Sequence, residues 1–133
     1  MNPRYRQVAQ RAGHRCEYCR APEVIFNFSF EVEHIIPTSK DGKDTEDNWA
    51  LACRSCNLYK SAHINGFDSL EQTTVSLFHP RKQTWDDHFR INETSGQIEG
   101  ITAIGRVTVK RLEMNSQAQQ FARQQWMALG LFP

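Results

Sequence analysis

The sequence predicts an α+β fold built on two short strands and a helix and stapled by cysteines. A helix precedes this core, and a hairpin and two further helices follow it. Three observations predict it. Four cysteines fall in two Cys-x-x-Cys pairs, Cys16 with Cys19 and Cys53 with Cys56. Between the pairs lie a β-branched and aromatic run, a polar loop and a short apolar run, which read as strand, loop and strand. Beyond residue 100, two segments show helical apolar spacing, the first behind a Thr cap.

The elements follow in order. Residues 3–12 read as a short helix, with Tyr5, Val8, Ala9 and Ala12 on one face and Gly13 ending it. His14 reads as a surface or helix-end histidine. Pro22 closes the turn of the first cysteine pair. Residues 24–36 show partial alternation at Phe26, Phe28, Phe30 and Val32, and predict a strand, straight or bent, ending near His34. Residues 37–47 are polar, with Asp41 and Gly42 as a turn signal. Trp49–Ala52 predicts a second strand or extended segment, and 53–62 a helix with Leu58 as its apolar anchor. Gly66, Phe67 and Asp68 suggest a turn, 75–78 an edge strand before Pro80, and 84–89 a single helical turn. Residues 89–92 and 97–101 read as a hairpin around Ser95 and Gly96. Thr102 caps a helix to about Met114. A last helix over 116–129 should bury Phe121, Ala122, Trp126 and Leu129, with Gly130 as its stop.

Composition narrows the class. The chain has 133 residues, of which 39% are hydrophobic, so the core is modest and benefits from a staple. No run approaches a membrane span, and the N-terminal stretch has no signal-type apolar segment, which predicts a cytosolic (cytoplasmic) protein. The net charge is only +1, yet its distribution is uneven. Arg4, Arg6, Arg11, Arg15 and Arg20 crowd the N-terminus, and Arg106, Lys110, Arg111 and Arg123 a later stretch. Glu31, Glu33, Asp41, Asp44, Glu46 and Asp47 fill the middle. Basic ends around an acidic centre suit a phosphate-gripping surface around a cation, although arginines on solvated helix faces are also common.

Two residues between thiolates let a tight turn aim both sulfurs at one ion, so two such pairs predict a closed, structural zinc on Cys16, Cys19, Cys53 and Cys56. The 33 residues between Cys19 and Cys53 exceed a simple ribbon and require a structured insertion. The rivals are a redox Cys-x-x-Cys, for which the βαβ pattern is absent, and four buried free thiols.

That insertion carries Glu33-His34, and Asn48 and Asn57 follow. Phosphodiester hydrolysis needs a water, a base and a cation. His34 supplies a base, and Glu33 a hard carboxylate beside it. Adjacent strand residues face opposite ways, so the two share a site only where the strand ends or bends. The ordered set is Cys-x-x-Cys, Glu-His-Ile-Ile-Pro, Asp-Asn-Trp-Ala-Leu and Cys-x-x-Cys-Asn-x-x-Lys. Over Cys16 to Lys60 it resembles the HNH endonuclease family, whose fold is ββα-metal with zinc knuckles.

The resemblance implies one HNH endonuclease domain over residues 1–133, with its core at 16–63 and a C-terminal extension at 64–133. It implies His34 as general base and Asn48 as the residue that holds the loop and orients it. It also implies Glu33, where Asp or His is more usual, and Asn57 as ligands of a catalytic Mg²⁺ or Mn²⁺. The implied substrate is double-stranded DNA, cut to leave 5′-phosphate and 3′-hydroxyl ends. The tail, from LFHPRKQTWDDHF through GITAIGRVTVKRLEMN, also resembles small bacterial HNH proteins.

Other residues bear on the same reading. Lys60 faces a phosphate or solvent, and with Arg4, Arg6, Arg11, Arg106, Lys110 and Arg111 forms the expected DNA-contacting set. His63 follows Asn57 closely enough to approach a metal, while His79 and His88 read as part of a docking segment packed by Trp85 and Phe89. Two rival functions stand beside the nuclease: a non-catalytic zinc module that binds nucleic acid, and a protein-interaction zinc domain. No phosphate-cradling glycine loop and no nucleophile elbow is present.

Overall fold

The structure, a computed structural model, describes residues 2–133. Helix α1 (Tyr5–Arg11) buries Val8 and Ala9, and Gly13 turns the chain at φ 64°. The first cysteine pair lies in a turn closed by a bridge from Arg15 to Pro22. The strand expected over 24–36 is much shorter. A 3₁₀ turn at Glu23–Ile25 and an irregular stretch precede β1, which spans only Glu31–His34. Phe26 and Phe30 pack edge to face across that stretch, with ring centroids 4.9 Å apart. These aromatics are core anchors for a loop, and that is why their alternation mimics a strand.

Strand β1 pairs antiparallel with β2 (Trp49–Ala52), with Glu33 opposite Ala50 and His34 opposite Trp49. Helix α2 (Arg54–Lys60) follows, its N-terminus capped by the Cys53 Sγ, which accepts from the Cys56 amide. Strand, loop, strand and helix thus stand in the expected order. Leu58 does not anchor α2: it is exposed.

The segment after α2 forms a hairpin instead of a turn and an edge strand. Strand β3 (Asn65–Asp68) pairs with β4 (Thr73–Ser76). Gly66, Phe67 and Asp68 lie inside β3, since the turn residues fall at 69–72. Helix α3 (Trp85–His88) leads into β5 (Phe89–Ile91), which pairs with β6 (Ile98–Gly100). Thr102 caps α4 (Ala103–Arg111) through the Gly105 amide, and Ser116 caps α5 (Gln117–Ala128) through that of Gln119. Gly105 is a packing residue: a Cβ there would lie 2.0 Å from the His88 carbonyl oxygen, so only glycine lets α4 meet α3.

The core joins α1, both knuckles, β2 and the aromatic residues of the C-terminal extension, among them Phe78, Trp85 and Phe89. Three residues expected to be buried are absent from it: Phe121 and Leu129 are exposed, and Ala122 is only half-buried. Phe121 shares its helix face with Gln125 and Ala128, which are also exposed. The inward face of α5 carries Gln119, Arg123 and Trp126. Arg123, read as part of a basic patch, is fully buried.

Candidate active site and metal centre

The four cysteine sulfurs converge. All four residues are buried, and their ligand atoms lie within 4.8 Å of one another, an arrangement able to hold a metal ion. Cys19 Sγ and Cys53 Sγ are 3.7 Å apart. Four thiolates at tetrahedral Zn–S distances would stand about 3.8 Å from one another, so the spacing fits zinc. Contacts among the sulfurs, those of Cys16 first, push the Cys19 and Cys56 thiols well up and draw that of Cys53 down. No disulfide joins them.

Strand alternation separates Glu33 from His34. Glu33 points inward and is 7% exposed. Its carboxylate accepts from the buried Tyr18 hydroxyl and from Lys60 Nζ at 3.1 Å. Lys60, 1% exposed, also donates to the Ile35 carbonyl at 2.8 Å. Burial pushes the Glu33 carboxyl up, against the pull of Lys60 and Tyr18, and pushes the Tyr18 phenol well up. Lys60 therefore faces neither phosphate nor solvent, which corrects its expected role in DNA contact. Position explains this: it ends α2 on the side that packs on β1, so its ammonium reaches the strand's inner carboxylate.

His34 lies on the outer side, at the end of β1 and half-buried. Its Nε2 is 2.9 Å from Asp44 Oδ1. Asp44 also accepts from Trp49 Nε1 at 3.0 Å and takes a two-point contact from Arg4, whose guanidinium stacks 4.4 Å over the Trp49 ring. The hydrogen bonds from His34, then from Arg4 and Trp49, hold the Asp44 carboxyl at about 2, so it is ionised at any working pH. Sequence reasoning counted Asp44 only as loop charge. The one signal able to find it was the strand register that sets Trp49 beside His34.

Asn48 is buried and pins the loop between the strands. Its Oδ1 accepts from the Ile36 amide at 2.9 Å, and its Nδ2 donates to the Ile36 and Lys43 carbonyls at 2.9 and 2.7 Å. The side chain thus continues the β ladder by one step past His34. Gly42 permits the same closure, because a Cβ there would lie 1.7 Å from the Ile36 carbonyl oxygen.

Asn57 is held elsewhere. Its Nδ2 donates to Glu31, which also pairs with Arg54 at 3.3 Å. Glu33 and Asn57 therefore do not meet in one oxygen-lined cation site, and as placed this pair does not fit the expected catalytic metal. His63 lines a pocket of about 260 Å³ with Ile35, Ile36, His79 and Lys82. His88 is held by Thr102. Of the basic residues expected on DNA, Arg4 is bound to Asp44 and Arg11 donates to the Glu46 and Trp49 carbonyls. Arg106 clasps Asp68 with two bonds and reaches Glu71. Arg6, Lys110 and Arg111 are exposed.

A ββα module with four converging cysteines, a histidine at the strand end and an asparagine-pinned loop is the class that this fold and site define. Residues 16–63 match the family model for HNH endonuclease. No curated protein and no solved structure matches the chain. Among the described residues, no helix is long and apolar enough to cross a membrane.

Proposed function

We propose that the protein is a metal-dependent DNA endonuclease with His34 as general base, acting in the cytoplasm on double-stranded DNA. One observation carries the reading: within the HNH-matched stretch, His34 is held by an ionised carboxylate at the end of a strand whose loop Asn48 pins. A carboxylate only accepts, so Nε2 carries the hydrogen and donates it to Asp44. Nδ1 keeps its lone pair and is free to take a proton from water. Asp44 then stabilises the imidazolium that forms, and Asn48 fixes the backbone on which the ring is mounted. The products expected are 5′-phosphate and 3′-hydroxyl ends.

Zinc is the proposed occupant of Cys16, Cys19, Cys53 and Cys56, where it supplies a rigid cross-link between the knuckles. A divalent cation such as Mg²⁺ or Mn²⁺, when bound, supplies charge to the phosphate oxygens. The family match supports that requirement, but Glu33, held by Lys60 and Tyr18, and Asn57, held by Glu31, are not joined to receive it. No step above passes through the cation. Arg6, Lys110 and Arg111 are the proposed phosphate contacts.

The occupied Glu33 favours a second reading, a zinc module that binds nucleic acid without cutting it. Incubation of supercoiled plasmid with the zinc-loaded protein in Mg²⁺, Mn²⁺ or EDTA separates the two. Cation-dependent nicking or linearisation supports the nuclease. Binding without cutting in every metal supports the binder.

A further inference from the structure

We infer that Arg123, on the C-terminal helix, is the charge partner of the four-cysteine metal centre, so that metal loading and docking of α5 are coupled. The inference rests on the zinc reading above.

Arg123 heads the fully buried side chains by volume and is 0% exposed. A buried cation is costly unless an opposite charge meets it. The ordinary solution is a carboxylate, and none contacts this guanidinium. Its Nη1 donates to the Gly96 carbonyl at 2.7 Å and more weakly to Asn115 Oδ1 at 3.3 Å, and its Nη2 to the Met114 carbonyl. All three acceptors are neutral. Its Nε is buried without any partner. The local chain offers no help, for the stretch 114–133 contains no Asp or Glu, and Arg123 is its one charged side chain. A uniformly neutral segment that buries a single arginine draws its compensating charge from elsewhere.

The source we assign is the cysteine cluster. Helix α5 lies against the second knuckle: one turn before Arg123, Gln119 Nε2 donates to Ser55 Oγ at 3.0 Å, and Ser55 sits between Cys53 and Cys56. Residues four apart share a helix face, so Arg123 faces the same side as Gln119. Burial pushes the guanidinium down, and the sulfurs of all four cysteines, Cys19 first, push it back up. Four thiolates on Zn²⁺ leave the centre with a net charge of about −2, a field that the surrounding apolar core does not screen. Arg123 supplies an opposing charge, and its two nitrogens at carbonyls tie the β5–β6 turn and the chain before α5 to the same point.

The test compares two variants of the full chain. Arg123→Lys keeps the charge with fewer donors, and Arg123→Gln keeps an amide donor for the carbonyls without the charge. Zinc affinity is read by competition with a chelator, with circular dichroism as the folding control. The Lys variant should hold zinc close to wild type, and the Gln variant should lose affinity by about tenfold or more, the usual effect of removing an outer-shell partner. Equal loss in both, or loss confined to the Lys variant, makes Arg123 a carbonyl latch and overturns the inference while leaving the zinc reading intact. Should the Gln variant not fold, the Lys variant decides alone: near-normal affinity supports the charge role, and a tenfold loss overturns it. A wild-type protein that holds no zinc overturns both readings together.

Discussion

His34 Nε2 stands 2.9 Å from Asp44 Oδ1, and that carboxylate is the meeting point of an imidazole, an indole and a guanidinium. The contact defines the tautomer of His34 and, through the Arg4 pair, anchors the N-terminal helix to the candidate site.

Replacing Asp44 with Asn should therefore impair cutting without unfolding the protein. The asparagine keeps the shape but offers no charge to an imidazolium. On the general-base reading, plasmid cleavage should drop by roughly tenfold or more, with zinc content unchanged. Full activity in Asp44→Asn would remove Asp44 from the mechanism.

His34→Ala should lower cleavage by roughly a hundredfold or more while leaving folding and zinc content near normal, because the ring is half-buried and outside the core. Raising Mg²⁺ or Mn²⁺ should not restore it. Equal plasmid cutting by wild type and variant across several divalent metals would show that His34 is not the base.

Lys60 and Glu33 form a buried pair, so each should be hard to lose singly. Lys60→Met leaves a carboxylate buried with only Tyr18 and should cost about 3–5 kcal/mol, read by urea denaturation of the zinc-loaded protein. The double variant with Glu33→Gln removes the stranded charge and should recover part of that loss. If Lys60→Met is neutral, the pair is not formed in solution.

Acid should loosen the β3–α4 contact first at Asp68. The Arg106 guanidinium holds this carboxyl at about 2, below the ordinary 3.8. A depressed carboxyl contributes stability that is present above the ordinary value and is lost as pH falls through the folded value. Stability of wild type relative to Asp68→Asn should thus shrink between about pH 4 and pH 2, as followed by thermal melts. A constant difference over that window would show that the pair contributes nothing in solution.

Metal removal offers a further check. Because folding and metal binding are linked in small thiolate sites, stripping zinc or replacing Cys53 with Ser should lower the melting temperature as well as any activity. Elemental analysis of the purified protein should show about one zinc per chain. A melting curve indifferent to chelation would make the cluster four buried thiols.

Much of this protein was legible in its residues. Cysteine spacing determined which four sulfurs meet, since two short Cys-x-x-Cys turns admit few other partners. Thr102 marked its helix because a hydroxyl cap is a local event. The family resemblance, and not the residue alone, implied that Asn48 holds the loop. What the sequence left undecided was direction. Glu33 and His34 are neighbours in the chain, but strand alternation sends one inward to Lys60 and the other outward to Asp44, and a motif read as letters does not carry that rotation. The phase of α5 was equally undecided: a shift of one position exposes Phe121 and buries Arg123. Both outcomes depend on which partner covers each face, and those partners lie far away in sequence. Contacts such as Lys60 with Glu33, Gln119 with Ser55 and Arg4 with Asp44 exist only once the knuckles close the chain on itself.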